Sequence, residues 1–512
     1  MFLILCLILP LTAQASNVED SLVVGIQSVK TQYIDPLSPV ERDMMSIYDL
    51  VYESLVTIDD NYLPQPLLCE SWELTSSGRS WTFHMREGLV FSDGTPLTAY
   101  DVVATAEYIL QKATDESSQD TGYYANLRYY VSSISAPDQY TVVVRAARSY
   151  YGLLYAMTFP VLPAAQLGQQ QPLGSGPYVI ESFQPGSYLL LGVNTRWWKN
   201  LPQVREISFL MYDVPKSVIE SYEYARVDTI FTRSIAAAQY RSGTSSLALD
   251  YRTNQLECLL MNHSHARLAS ENVRKAIRYV VDVDKLASNV YLGMVARTDT
   301  PFIPGTWMYN DSLDAYFVRN LDEAKRLLNE EGWGDSNGDG ILDRLDEKGK
   351  LVNFTLTLYV YEEPENDVRM ECANLIAEQL AQVGISVSIS AQTFAGIQEK
   401  LSAGSFQLAL VSYAMDVPPD PGFLLMTSNT GNYVRYRSTS MNDLFKQLRT
   451  CVSQSEYQQT LMDIQTQFAK DCPFICLFWR KGVVLTRKMY TTRRDVRELS
   501  LLRGIESFRT LK

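Results

Sequence analysis

Histidine is scarce in this chain, with three among 512 residues, so the commonest general base and metal ligand is missing from most of its length. His84 falls in a strand-like segment, and the pair His263-x-His265 lacks the third ligand that a zinc centre needs. There is no Gly-x-Ser-x-Gly elbow, no phosphate-binding Gly loop ending in Lys-Ser/Thr and no His-Glu-x-x-His helix, which leaves an enzyme reading without a motif. Positive charge is also short. The 45 Lys and Arg against 58 Asp and Glu give a formal net charge of -13, which disfavours non-specific binding of nucleic acid and favours solubility. Internal repeats and low-complexity tracts are absent, and so is any apolar run long enough to cross a bilayer.

The one short apolar run, residues 2 to 11, is followed by Ala13-Gln14-Ala15, the small-residue spacing of a signal-peptidase site. Residues 1 to 15 are therefore expected to be an export signal, although no Lys or Arg precedes the run. Cys6 lies inside the run and Ser16 stands at the expected mature start, so no lipid anchor is expected. The remaining cysteines are Cys69, Cys258, Cys372, Cys451, Cys472 and Cys476. Their even number permits bridges, but buried free thiols are the favoured reading.

What the chain has in quantity is ordered apolar material, with 46% hydrophobic residues. Strand-like runs at 22 to 26, 140 to 144, 189 to 193, 354 to 359 and 408 to 411 alternate with helical runs near 101 to 111, 271 to 290, 321 to 331, 367 to 383 and 455 to 470. The pattern predicts an α/β protein. Its most distinctive stretch is Trp81 to Val103, in which Thr82 to Met85 favours a strand, Asp93-Gly94 a turn, and Thr98 a helix N-cap with Asp101 in the first turn.

That stretch, preceded by Leu68-Cys-Glu-Ser-Trp-Glu-Leu, resembles the signature of the extracellular solute-binding proteins of family 5, the oligopeptide- and dipeptide-binding proteins of ABC importers. Further matches follow in order: Gly174-Ser-Gly-Pro-Tyr178, Asn194-Thr-Arg-Trp-Trp198, Val273-Arg-Lys-Ala-Ile277, Val281-Asp282, Leu292-Gly293, Pro301, Ala377 to Gly384 and Asp416-Val-Pro-Pro-Asp-Pro421. The resemblance implies a bilobal fold of the type II periplasmic-binding-protein kind, with an extra inserted domain and a hinged ligand cleft. A discontinuous first domain is expected at 16 to 45, 166 to 252 and 478 to 512, an inserted second domain at 46 to 165, and the opposing lobe at 253 to 477. It also implies a monomer at the periplasmic or extracellular face of the membrane, which delivers a peptide to permease subunits, performs no catalysis and requires no cofactor. A nickel chelate, haem, sugar or opine ligand on the same scaffold stays open, as does a peptide sensor or chaperone.

In resembling peptide binders an Asp at the place of Asp416 holds the peptide's free ammonium group. The backbone of Tyr413, Ala414 and Met415 on one side, and of Val40, Glu41 and Arg42 on the other, is expected to extend its strand edges onto the ligand. Dipeptide binders carry an Arg just after the strand corresponding to 354 to 359, whereas this chain offers Tyr361-Glu362-Glu363-Pro364-Glu365. An acidic loop facing the cleft would repel a ligand carboxylate; a solvated one would be neutral to it. The stretch from Asp335 to Asp346 looks like a calcium loop, with Asp335, Asn337, Asp339, Ile341 through its carbonyl, and Asp346 as the candidate ligands; the other reading is a polar connection.

Overall fold

The computed structural model describes residues 20–38, 41–114, 123–147, 151–241, 246–313, 318–346, 348–363, 367–415, 420–490 and 496–510. The expected signal, Val40 and Asp416 lie outside these. In the strand Ser80–Met85, Trp81, Phe83 and Met85 are buried and the residues between them are not, the period of two of a sheet covered on one face. Gly94 adopts φ +95°, which a side chain disfavours, and the Asp93 carboxylate accepts from the Thr95 amide at 2.8 Å, fixing the turn. The helix Ala99–Thr114 then begins after Thr98, and Asp101 reaches back to accept from the Thr98 amide at 2.9 Å and its hydroxyl at 3.0 Å. This is the return half of a capping box. The helix packs on a four-stranded antiparallel sheet in the order Cys69–Leu74, Ser80–Met85, Thr141–Ala146, Val131–Asp138.

The run read as one helix from 271 to 290 is three pieces, Glu271–Val280, Val283–Lys285 and Leu286–Val290. Asp282 makes the break, because its carboxylate accepts from the Lys285 amide at 3.0 Å and starts a new turn.

Among the described residues an eleven-stranded mixed sheet joins both halves of the molecule. One half carries Thr229–Thr232, Ser21–Gln27, Glu206–Tyr212, Tyr188–Val193 and Tyr178–Gln184; the other carries Leu408–Ala414, Thr355–Tyr361 and Ser386–Gln392. Two long antiparallel strands, Leu247–Met261 and Phe474–Thr486, run between them. These strands contain the positions 252/253 and 477/478 at which the chain is expected to change lobes. Their register breaks between Arg252 and Leu256, which places a bend-prone irregularity at the crossing point. The position 45/46 falls inside the helix Arg42–Val51.

The cores divide with the sheet. Leu22, Val24, Phe209 and Trp81 share one buried cluster, so the first half and the four-stranded sheet form one continuous core. Leu259, Ile277, Leu358 and Leu410 belong to a second on the far half, and Leu260, Phe445, Ile464 and Phe474 to a third, which also takes in Ile58, Tyr62 and Tyr155 of the near half.

Candidate ligand-binding cleft

The helix Arg42–Val51 organises the near wall of the cleft. Just past its end, Glu53 is 5% exposed and its carboxylate accepts from the indole N–H groups of Trp197 at 3.1 Å and Trp198 at 3.0 Å and from the Ser175 hydroxyl at 3.1 Å. Burial pushes its pKa up, against the Lys199 charge and these bonds. Gly174 and Gly176 flank Ser175 because the helix end lies against them: an added Cβ would stand 2.0 Å and 2.7 Å from the carbonyl oxygens of Val51 and Leu50. Asn194 donates to the Gly176 carbonyl at 2.8 Å. The landmarks 174–178 and 194–198 are thus a structural lock around one buried acid.

On the far half, Leu408–Ala414 pairs with Leu247–Met261 along its whole length, with Tyr413 opposite Leu256 and Ala414 opposite Gln255. On its other side the pairing with Thr355–Tyr361 stops at Leu410. Among the described residues no strand pairs with Val411–Ala414 on that side, so the backbone there presents an open edge. Tyr413 is half-buried, Ala414 exposed and Met415 buried.

Glu41 and Arg42 do more than contribute backbone. The Glu41 carboxylate accepts from the Ser28 hydroxyl at 2.6 Å, the Val29 amide at 2.8 Å and the Thr31 amide and hydroxyl at 3.0 and 2.7 Å. Burial raises its pKa, and these bonds outweigh that and hold it low. Arg42 reaches Glu498 at 3.4 Å; Glu498 also accepts from Arg233 at 2.9 Å and from the Asn254 amide at 2.6 Å, and the Asn254 carbonyl takes the Met415 amide at 2.9 Å. The structure therefore joins two segments expected to hold ligand, 41–42 and 413–415, through Glu498 and the register break of the long strand. Glu498 was not singled out by the sequence, and nothing local in the sequence marks it.

Beside the helix Arg42–Val51 lies a cavity of about 290 Å³, lined mainly by the near half and by residues 497–503, with Asp420 from the far half. Met45, Tyr48, Asp49 and Tyr52 line it at the spacing i, i+3, i+4, i+7, one face of the helix. Tyr124, Tyr155, Arg497, Arg503 and Asp420 face the same space. The Tyr52 hydroxyl donates to the Pro172 carbonyl at 3.0 Å and that of Tyr155 to the Tyr62 carbonyl at 2.8 Å. Arg497 donates to the carbonyls of Asp59 at 3.0 Å and Ile58 at 2.5 Å, and Arg503 pairs with Asp60 at 3.1 Å. Burial raises the pKa of both Asp49 and Asp420. The sequence signal for Asp49 was available: an acid at the centre of a Met/Tyr helix stripe.

Of the acidic loop after Tyr361, Pro364 and Glu365 lie outside the described residues, and Glu363 is neither a bare charge nor wholly in solvent. Glu363 pairs with Arg369 at 2.9 Å and Arg480 at 3.7 Å, and the buried Glu257 takes the same two guanidiniums at 2.9 and 3.2 Å. In the proposed calcium loop, Asp335 accepts from the amides of Gly338, Asp339 and Gly340 at 2.8, 3.1 and 3.0 Å, and Asp339 from that of Ile341 at 2.8 Å. Asn337 accepts from the Asp339 amide at 2.9 Å, whereas Asp346 accepts from Lys348 and Lys350 on the following turn, both at 2.9 Å. Among the described residues no group of three or more His, Cys, Asp or Glu is placed to hold a metal ion. His263 donates its Nε2–H to the Pro473 carbonyl at 2.8 Å, and burial, then Arg274, pushes its pKa down to about 4. All six described cysteines are buried and free.

Comparison with known proteins places this architecture. The family model for bacterial extracellular solute-binding proteins, family 5 Middle, matches residues 64–434. The chain is 24% identical over 488 residues to the oligopeptide-binding protein AppA of Bacillus subtilis (strain 168), covering 90% of this chain and 86% of that one. The solved structure of AppA from Bacillus subtilis in complex with a nonapeptide superposes with a TM-score of 0.68 at 22% identity, covering 96% of this chain and 99% of the other. NikA from Brucella suis in complex with Fe(III)-EDTA gives a TM-score of 0.79 at 20% identity, with 96% and 100% covered.

Proposed function

The chain belongs to the bacterial extracellular solute-binding proteins of family 5, and from that membership we propose that it captures an extended peptide outside the cytoplasm and hands the closed complex to a membrane ABC permease. The observation that carries the peptide reading is the open edge at Val411–Ala414. A peptide main chain can add its N–H and C=O groups there whatever its side chains, which gives affinity with tolerance of sequence. Asp416, one residue past Met415, is the anchor for the peptide's ammonium, and the 40–42 segment holds the opposite side.

The domain layout follows the long strands: 16 to 45, 166 to 252 and 478 to 512 with the insert 46 to 165 form one lobe, and 253 to 477 forms the other. Leu247–Met261 and Phe474–Thr486 serve as the hinge, so contacts made only when the lobes approach favour the closed form. The protein acts as an exported monomer. It breaks no bond in its ligand, and a bound peptide is released intact. Mass spectrometry of small molecules liberated by denaturing protein from its native host tests this: peptides are expected, and a metal chelate, haem or sugar in their place overturns the reading.

A further inference from the structure

Asp49 stands in the middle of an otherwise apolar and aromatic helix face, between Met45, Tyr48 and Tyr52, and that face lines the cavity. A carboxylate in such a place loses hydration, and the fold returns little for it: one hydrogen bond, from the Ser500 hydroxyl at 2.6 Å. Glu53, one turn further on, receives three donor groups for the same loss. Asp49 nevertheless keeps its side chain exposed to the cavity.

The surroundings define what Asp49 can take. Tyr48 and Tyr52, 4% and 3% exposed, stand edge to face at 6.0 Å beside it, and the more open Tyr123 and Tyr124 line the same cavity, Tyr124 within its electrostatic reach. The cations that counter it, Arg497, Arg503 and Lys199, sit at longer range. Arg497 is bonded to the carbonyls of Ile58 and Asp59, and Arg503 is paired with Asp60. Carboxylate and tyrosine faces together favour an organic cation, by charge and by the ring quadrupole. Metal ions, which need several oxygen or nitrogen ligands at once, fit this wall poorly.

We infer that Asp49 is a second cation-recognition point in the cleft, which takes the ammonium or guanidinium of a basic ligand side chain in a tyrosine-lined cavity. The inference rests on the peptide reading above and narrows it to basic peptides. The ligand then carries two positive groups, its terminal ammonium on the far lobe and its side chain on the near lobe, so a basic peptide bridges the lobes by charge as well as by backbone.

The test measures calorimetric binding of Ala-Lys-Ala, Ala-norleucine-Ala and 1,5-diaminopentane to the mature wild-type protein, Asp49→Asn and Asp49→Glu. Norleucine keeps the aliphatic stem and removes the charge. Wild type is expected to prefer the lysine peptide about 10-fold or more, a charge-assisted contact's worth. Asp49→Asn is expected to erase that preference while leaving the norleucine peptide's affinity unchanged, and Asp49→Glu to restore part of it. Melting curves confirm that each variant is folded. If both peptides bind wild type equally, or the preference survives in Asp49→Asn, the inference is overturned and the peptide reading stands. If neither peptide binds, the peptide reading fails and the diamine decides: uptake lost in Asp49→Asn upholds the cation site, and no uptake by wild type overturns it.

Discussion

Two acids four residues apart, Glu53 and Asp49, show how this fold treats a carboxylate at the cleft wall in opposite ways, the first buried and the second exposed to the cavity. Burial raises the pKa of both. Glu53 is closed off by the indoles of Trp197 and Trp198 and the Ser175 hydroxyl, whereas Asp49 has one hydroxyl and an open cavity. A structural acid is bonded until nothing is left for a ligand. An acid kept for binding stays short of partners, and the fold carries the cost.

The sharpest way to break that contrast is to delete Glu53. Glu53→Ala leaves the buried Trp197 indole N–H and Ser175 hydroxyl without an acceptor, takes away the partner of the more exposed Trp198 indole, and removes a packed side chain beside them. Stability should fall by about 3 to 5 kcal/mol, from a few buried donors at about 1 to 3 kcal/mol each with partial relaxation. Urea denaturation measures this, and ligand affinity of the folded fraction should be unchanged. Asp49→Asn should do the reverse, with a stability change below about 1 kcal/mol because a hydrogen-bond acceptor remains for Ser500. A large loss of stability in Asp49→Asn would place it with Glu53 as scaffold.

Asp416 belongs by proposal with Asp49, on the other lobe. Asp416→Asn keeps the size and removes the charge; losing one partner of a desolvated charge pair costs about 2 to 5 kcal/mol, so peptide affinity should drop by roughly 30-fold or more. Acetylating the peptide's amino terminus should cost wild type a similar amount and cost the variant little further, because both changes remove one contact. Additive losses would rule Asp416 out as the ammonium anchor.

The two classes of acid also differ in how legible they are. The signature residues Gly174, Ser175, Gly176, Trp197 and Trp198 could be read from the sequence because they serve the lock, where backbone contacts such as that of Gly174 with Val51 allow few substitutes. The α/β class and most elements were equally readable, since periodicity records which face is buried. The break at Asp282 was missed because the apolar period continues through a capping residue. The cleft wall was harder. Arg42, Glu498, Asn254 and Met415 meet only through a chain of tertiary hydrogen bonds, which no local pattern encodes. Asp49 did leave a trace, an acid within an aromatic stripe, which a reading by motif passes over.

Stability against pH separates the classes further. The folded-state pKa of Asp49 is raised above the ordinary carboxylate value of about 4. It therefore costs nothing below that value, and stability is lost as pH rises from there through the folded pKa, where Asp49 ionises in a poorly hydrated place. For Glu41 the folded pKa is lowered, so its stabilisation is present above the unfolded value and lost as pH falls through the folded one. From acid pH to neutrality, Asp49→Asn should gain stability relative to wild type, the gain arising above about 4, while Glu41→Gln should lose it, the loss arising below about 4. Parallel thermal melts across that range decide; slopes of the same sign would undo the distinction.

The smallest expected effect tests whether the rule reaches the Asp335 to Asp346 loop. Its spacing matches a calcium loop in sequence, yet its acids resemble Glu53 more than Asp49. Asp335 is taken by three amides of its own turn, Asp339 by one, Asp343 by the amide and hydroxyl of Ser336, and Asp346 by two amides of the next turn. Calcium would have to displace several of these bonds and draw Asp346 back across the hairpin formed by Asp343–Leu345 and Leu351–Asn353. If bonded-out acids take no ligand, millimolar calcium against chelator should leave the melting temperature unmoved within about 1 °C, because only binding to the folded state raises it. A rise of several degrees, abolished in Asp335→Asn, would show that amide bonds made within a turn do not retire a carboxylate, and the contrast between Glu53 and Asp49 would then hold only for acids bonded across the fold.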